Sequence, residues 1–482
     1  MNGRRSFFRN ILGASAGVAA LSKVAPAQQT RATDPQERTP TGGPPLVQTP
    51  DLKDLPFTLD GGVKVFKLIS EPVKQEIMPG RTIDVWGYNG SAPGPTIQAN
   101  QGDRVRIVFD NHLPEPTSMH WHGLEIPIAM DGAPGISQEP VKPGGRFVYE
   151  FTLHQEGTYF YHPHMAMQEM IGMLGAFILH PKNARAPRVD QDFIIMLQEY
   201  AVLPNNSVPN TMNMEFNWLT FNGKVGPATT PLVVRLGDRV RVRLINLGMD
   251  HHPIHLHGHT FYVTGTEGGP IPQALWYPGN TALVGVAQAR DFEFVANNPG
   301  DWMLHCHLPH HMMNQMSSNI GPMTRLGTGM PAGIGMEAGM GIPKGVNDFG
   351  PSLGRGLGVG STNDQPVGNT PLSPQKASEA MAGMQHNMPG MDHGGVKMDA
   401  DVAPNANSVP GFPQDAYMEG PLMAMDKMVV RPETDGLKPG WSGFMQGMMS
   451  FVRVLPPDQY RRVMDLKAKQ VNGTPAGAPH AH

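Results

Sequence analysis

Three pairs of segments in this sequence match each other. They are residues 102–107 and 237–242, residues 120–123 and 255–258, and residues 157–164 and 300–307. The members of the first two pairs lie 135 positions apart (237 minus 102), and those of the third lie 143 apart (300 minus 157). Because self-similarity at a near-constant offset marks a structural unit that is used more than once, the chain contains two copies of one domain.

Each copy has the pattern of a β-sheet protein. Short runs alternate apolar and polar residues, as at Val105, Ile107 and Phe109, and prolines and glycines separate the runs. Regularly spaced short strands with such turn signals are typical of a β-sandwich. We therefore predict an all-β fold, with one sandwich at residues 50–185 and a second at residues 186–328.

The C-terminal part of the chain has a different composition. From residue 329 to residue 440, Gly-Met and Pro-Met steps recur and bulky apolar residues are few. Such a segment buries too little apolar surface to offset its chain entropy, so we predict that it is largely disordered and flexible. For residues 441–482 we predict a C-terminal tail with a short helix that begins at Pro457.

The N-terminal residues have the features of a twin-arginine export signal. Arg4 and Arg5 precede a small apolar stretch that ends in Ala-Pro-Ala at residues 25–27. The alternative is a short basic amphipathic helix. We expect a signal peptide at residues 1–27, a linker at residues 28–49, and a periplasmic or secreted product. No later segment is long and apolar enough to predict a membrane span.

Cysteine usage points to a metal. The chain has a single cysteine, Cys306, together with 33 methionines and 20 histidines. A lone thiol in an oxidising compartment is a liability unless something occupies it, and a metal ion does so well. The formal net charge of -4 provides no basic surface for nucleic acid, so we expect no nucleic-acid partner.

Four His-x-His motifs occupy equivalent places in the two repeats. In a strand, this spacing puts both imidazoles on one face. One motif alone is a surface or core feature about as often as a ligand pair, because histidine forms hydrogen bonds without a metal. Eight such imidazoles in a buried shell would be costly to desolvate without a metal. The histidines are His120, His122, His162, His164, His255, His257, His305 and His307.

Cys306 adds a second kind of site. Two imidazoles, one thiolate and a weak axial thioether form the blue-copper arrangement, and the axial group tunes its potential. The sequence offers His252, Cys306, His311 and Met316 for these places. Because the thiolate lies between His305 and His307, a short covalent path joins the two sites.

These motifs resemble those of the multicopper oxidases over roughly residues 80–328. The resemblance implies two cupredoxin-like Greek-key sandwiches and four coppers per functional unit: one type 1, one type 2 and a type 3 pair. The type 2 ligands would be His120 and His255; the type 3 ligands His122, His162, His164, His257, His305 and His307; and the type 1 ligands His252, Cys306, His311 and axial Met316. His251, His259 and His310 are favoured as non-ligands.

Proton delivery is only partly assigned by this resemblance. Asp131 matches an acidic residue that assists protons at the three-copper cluster, although an Asp-Gly step by itself indicates only a turn. Met312 stands where many relatives have a second acid. The resemblance therefore implies catalytic roles for Asp131 and for the path through Cys306, His305 and His307, and leaves the second proton route open.

The first repeat should hold no type 1 copper. When the repeat is used to map the second domain onto the first, His252, Cys306 and His311 fall on Thr117, Pro163 and Gln168, and Met316 falls on Met173. This argues against a copper nitrite reductase, which carries its type 1 copper in the first domain. The plan instead resembles the two-domain small laccases, which form homotrimers with each cluster between two subunits.

The function expected from the resemblance is oxidation of a donor with reduction of dioxygen to water. The donor would be a phenol, another aromatic compound or a metal ion. Met384, Met388, Met391 and Met398 lie among His386 and His393 and would suit Cu(I), whereas the alternative is a plain linker. Copper storage or delivery through this segment is the non-enzymatic alternative.

Overall fold

The computed structural model describes residues 47–202, 206–212, 214, 216–312 and 425–472. The expectations for the signal peptide, for most of the linker and for the Met-rich segment up to residue 424 lie outside these described residues, and so does Met316.

Almost all of the regular structure in the first half of the chain is β. Strands β1 to β10 are Val47–Gln48, Phe57–Asp60, Val63–Met78, Arg81–Tyr88, Ile97–Asn100, Arg104–Asn111, His120–His122, Arg146–Thr152, Gly157–His162 and Gly175–His180. One sheet has the order β5-β10-β9-β7, and the other has the order β2-β3-β6-β8 with β4 beside β3. A short helix, α1 (Ala166–Met170), follows β9.

The second half repeats this plan with two further sheets. Strands β11 to β22 are Gln191–Tyr200, Trp218–Phe221, Leu232–Arg235, Arg239–Asn246, His252–Leu256, Phe261–Thr266, Gly269–Pro270, Tyr277–Gly279, Thr281–Val284, Gln288–Val295, Gly300–Cys306 and Met449–Leu455. One sheet has the order β1-β11-β14-β20-β16-β17, and β12 and β18 pair with β11 and β16. The other has the order β13-β22-β21-β15-β19. The prediction of an all-β chain with two cupredoxin-like sandwiches is confirmed.

The core of the first sandwich fixes the direction of its histidines. Trp121 is fully buried, and the rings of Tyr149, Phe151, Tyr161 and Phe177 surround it at centroid distances of 5.1 to 6.2 Å. Since successive side chains of a strand point to opposite faces, burial of Trp121 turns its two neighbours in β7 away from this core.

The two sandwiches share buried contacts. An apolar cluster joins Phe160 and Ile178 of the first to Ile194, Ile245 and Ala289 of the second. A polar contact lies beside it: Thr158 Oγ1 donates to Asp291 Oδ1 at 2.7 Å and accepts from Arg243 Nη1 at 2.6 Å. The strand that carries His162 is therefore anchored to the second sandwich.

The last strand of the second sandwich comes from the end of the chain. The sequence predicts a tail at residues 441–482, but Met449–Leu455 instead lies inside a sheet, parallel to β13 and antiparallel to β21. No local sequence pattern predicts this pairing, because more than a hundred residues separate β21 from β22. Helix α2 (Pro457–Asn472) follows, where a capped helix is predicted. Among the described residues, no helix is long and apolar enough to cross a membrane.

Candidate metal centre

Strand pairing assembles a group of histidines on the first sandwich. β7 and β9 are antiparallel neighbours, and His120 is the register partner of His162. One ligand atom from each of His120, His122 and His162 lies within 4.8 Å of the other two. The His164 ring lies 5.6 Å from the His120 ring and is exposed. We call these four residues the first half-site.

Two acidic residues adjoin the first half-site. His120 Nδ1 donates to the backbone oxygen of Asp131 at 2.9 Å, and Asp131 Oδ1 lies 3.4 Å away. His162 Nδ1 donates to the backbone oxygen of Pro163 at 2.8 Å, and Glu169 Oε1 lies 3.2 Å away. A partner on Nδ1 fixes the tautomer and leaves Nε2 of each ring unprotonated, with a lone pair that can bind a metal. Sequence reasoning identified Asp131 and missed Glu169.

The second sandwich carries a matching group, the second half-site. β15 and β21 are antiparallel, with His255 opposite His305. His257 Nε2 lies 3.1 Å from His305 Nε2, and the His307 ring lies 5.3 Å from the His255 ring. His255 Nδ1 is 2.7 Å from the backbone oxygen of Asn280, which fixes this ring as Asp131 fixes His120.

Burial keeps several of these imidazoles neutral. It lowers the pKa of His122 to about 4, with further lowering by the charges of His162 and His120. It also lowers the pKa of His305 to about 4, and His257, His255 and His307 act in the same direction. A neutral imidazole has a free lone pair, so both groups are ready to bind a cation at neutral pH.

Within one chain, the two half-sites make no direct contact with each other. Every one of the eight histidines is described, and each ring contact or hydrogen bond between them joins members of the same half-site. Each half-site therefore offers imidazoles on one side of a potential metal cluster only.

Cys306 lies in a distinct buried site with two further histidines. Its Sγ lies 3.8 Å from His252 Nδ1 and 3.5 Å from His311 Nδ1, and the two nitrogens are 3.0 Å apart. All three side chains are fully buried. Burial raises the pKa of the Cys306 thiol to about 12, so a metal that binds here must displace the thiol proton.

Two carboxylates lie beside the outer nitrogens of this site, and sequence reasoning missed both. Glu199, fully buried, lies 3.0 Å from His252 Nε2 and accepts the backbone N–H groups of Met249 and, at 2.7 Å, Asp250. Asp250 Oδ2 lies 3.6 Å from His311 Nε2. Neither residue stands in a ligand motif. Asp250 could have been noticed from its place two residues before His252.

The remaining histidines near the motifs have other partners or stay outside. His251 Nδ1 accepts the backbone N–H of Val286 at 3.1 Å. His259 contacts the backbone oxygen of His257 and packs against the rings of Phe294 and Trp302. His310 is exposed at the surface.

Comparison with known proteins agrees with this geometry. Two family models, both described as multicopper oxidase, match residues 72–184 and residues 202–321. The chain belongs to the multicopper oxidase family. It is a two-domain member of a family of oxidoreductases, and each matched region contains one half-site.

Individual relatives match over limited regions. Copper resistance protein A of Pseudomonas syringae pv. tomato is 34% identical over 143 residues, which are 30% of this chain and 24% of the relative. Laccase-1 of Cryptococcus neoformans is 37% identical over 156 residues, 31% of this chain and 24% of the relative. The chain thus spans about a quarter of the length of these relatives. A blue copper oxidase from Nitrosomonas europaea is 32% identical, with 52% of this chain and 81% of that chain covered and a TM-score of 0.48.

Proposed function

We propose that this multicopper oxidase couples one-electron oxidation of a donor to four-electron reduction of dioxygen to water. The observation that carries the proposal is that a buried His-Cys-His site lies next to the second half-site in the sequence. Cys306 belongs to the His-Cys-His site, and its neighbours His305 and His307 belong to the second half-site. An enzyme that collects single electrons at one metal and reduces dioxygen at a cluster needs two such sites in close covalent contact.

The chemistry of the donor groups fits copper. Two imidazoles and a thiolate at Cys306 suit a type 1 copper, and clustered imidazoles suit the type 2 and type 3 coppers. We assign the ligands as the family resemblance implies, with His120 and His255 for type 2. The type 3 ligands are His122, His162, His164, His257, His305 and His307, and the type 1 ligands include His252, Cys306 and His311.

Bound copper would supply the one-electron chemistry, and the protein residues around it have separate tasks. Cys306 connects the donor side to His305 and His307 through a short covalent path. Burial of His252, Cys306 and His311 excludes water from the donor site. Asp131 orients His120 through its backbone oxygen, and its partly exposed carboxyl group can carry protons from solvent to this edge of the cluster.

The first sandwich has no second type 1 site. At the place equivalent to the copper ligands, Thr117 Oγ1 donates to Gln168 Oε1 at 2.7 Å, and both side chains are buried. This internally satisfied pair leaves no thiolate and no imidazole, which argues against the nitrite reductase alternative. The storage alternative leaves the buried His-Cys-His site without a purpose.

The main test is oxygen consumption by the copper-loaded protein. We expect an intense blue absorption band and uptake of one dioxygen for four one-electron donor molecules, without release of peroxide. A protein that binds copper, shows no turnover with phenols or Cu(I), and passes its copper to a chelator would instead support storage or delivery.

We further propose a homotrimer in which the first half-site of one subunit faces the second half-site of its neighbour. The separation of the half-sites within one chain supports this arrangement, because each needs imidazoles from elsewhere to complete a cluster. Light scattering on copper-loaded protein should then give three chains.

Subunit mixing tests this arrangement directly. One variant carries His120→Ala and His122→Ala, the other carries His255→Ala and His257→Ala, and each alone should be inactive. When the two are unfolded, mixed and refolded with copper, intact clusters form only between different chains, so activity should return. Mixtures that stay inactive, or a fully active wild-type monomer, would refute the shared cluster.

The donor class and the export route are further proposals. If residues 380–400 gather Cu(I), their deletion should slow Cu(I) oxidation at limiting copper and leave phenol oxidation unchanged, because a tether raises only the local Cu(I) concentration. Equal loss of both rates would show a structural role. For export through the twin-arginine route, replacement of Arg4 and Arg5 by lysine should retain the protein in the cytoplasm, as fractionation would show.

A further inference from the structure

Met448, the residue just before β22, contacts both ends of the Cys306 site. Cys306 N–H donates to the backbone oxygen of Met448 at 3.0 Å, and Met448 N–H donates to the backbone oxygen of His311 at 3.2 Å. Met448, which comes from the C-terminal part of the chain, is thus hydrogen-bonded between two of the residues proposed to bind type 1 copper.

Strand register places the Met448 side chain beside Cys306. β21 and β22 are antiparallel with His305 opposite Met449, so Cys306 stands opposite Met448. Directly opposed residues of an antiparallel pair point to the same face, with Cβ atoms about 4.5–5.5 Å apart. The Cys306 thiol and the Met448 thioether therefore share one face of the sheet.

Packing agrees with this register. Met448 is fully buried and belongs to the same apolar cluster as Cys306, Leu304 and Val452. Met449 lies outside that cluster, as the alternation of side chains along a strand requires. The unbranched thioether of Met448 is a soft donor held next to a soft site.

The residue before Met448 shows how closely the two segments approach. Gly447 has a φ of +55°, and a Cβ added there would lie 2.0 Å from the backbone oxygen of His311. Only glycine allows the chain to pass the copper-binding loop at this distance. The close approach is therefore built into the sequence at Gly447.

We propose that Met448, and not Met316, supplies the axial thioether of the type 1 copper. The inference rests on the proposed type 1 site at His252, Cys306 and His311. It replaces a ligand five positions after His311 by one that follows more than 130 residues later in the chain. The second domain's copper site is then assembled from two separate stretches of sequence.

Reduction potentials of copper-loaded variants test this assignment. Met448→Leu should raise the type 1 potential, because loss of a donor disfavours Cu(II), and Met448→Gln should lower it, because an oxygen donor favours Cu(II). A residue that only packs would not give shifts of opposite sign. Met449→Leu is the matched control, since it changes the adjacent buried thioether on the other face. We expect no shift for Met449→Leu or Met316→Leu.

The possible outcomes separate this inference from the proposed function. A wild-type protein without a blue band would overturn both. A normal blue band together with a raised potential in Met316→Leu would overturn the Met448 assignment alone, even if neither Met448 variant folds. A normal blue band together with an unchanged type 1 reduction potential in both Met448 variants would also overturn it.

Discussion

Arg243 forms the central polar contact between the two sandwiches. Its guanidinium donates to both carboxylate oxygens of Asp192 at 2.8 and 2.9 Å and to Thr158 Oγ1 at 2.6 Å, and Asp291 Oδ2 lies 3.4 Å away. The side chains of Arg243, Asp192 and Asp291 are at most 7% exposed. Replacement of Arg243 by leucine would leave buried Asp291 without its ion-pair partner, and it would leave Asp192 with Arg241 alone, at 3.3 Å.

The expected loss of stability is large. Removal of one partner from a buried ion pair destabilises a protein by about 3–5 kcal/mol, because the remaining charge is not solvated. Urea unfolding of the copper-free protein should show a loss of this size for Arg243→Leu. The matched control is Arg104→Leu, since Arg104 is 62% exposed and pairs with Glu150, and it should cost no more than about 1 kcal/mol.

The loss should also depend on pH. Burial raises the pKa of Asp291 even with Arg243 beside it, and removal of the cation would raise it further. A carboxyl group with a raised pKa binds its proton more tightly in the folded state, so stability falls as pH rises through the raised range. The Arg243→Leu defect should therefore be larger at pH 8 than at pH 5.

Neutral replacements provide the complementary result. The triple variant Arg243→Met, Asp192→Asn and Asp291→Asn removes the cation together with the charges that it balances, so it should recover part of the lost stability. A loss below about 1 kcal/mol in the single variant, or a triple variant no more stable than the single one, would refute the reasoning.

Three further predictions concern the Cys306 site. Glu199→Gln should raise the type 1 potential in a redox titration, because it removes a negative charge 3.0 Å from His252 Nε2; an unchanged potential would contradict an electrostatic role. Gly447→Ala should weaken or abolish the blue band, because the added Cβ would clash with the backbone oxygen of His311. Gly268→Ala is the control and should leave the spectrum unchanged, because the Cβ added there would lie 3.5 Å from its nearest neighbour. Cys306→Ser should abolish both the blue band and donor oxidation, and a persisting band would refute the type 1 assignment.

Much of the candidate site could be predicted because it is local in sequence. The His-x-His spacing and the strand pattern are enough to place His120 beside His122 and His255 beside His257, and the internal repeat indicates which motifs are equivalent. The structure also brings together His252, Cys306 and His311, which the sequence suggests as one group.

The residues that sequence reasoning missed depend on pairing between distant segments. Glu199 reaches His252 because β11 and β14 are neighbours, and Met448 reaches Cys306 because β22 is inserted beside β21. No periodicity or motif near either residue indicates its partner. The sequence alone therefore predicts an axial methionine within a few residues of His311, where Met316 offers a plausible spacing.

The interior position of β22 makes the connection between residues 312 and 447 a closed loop of the second domain. Both of its ends are fixed at the Cys306 site, where a Cβ on Gly447 would be 3.1 Å from the carbonyl carbon of Met312. Cleavage within the loop would cut the chain and still leave β22 hydrogen-bonded on both sides. The second domain would then hold together as two polypeptides.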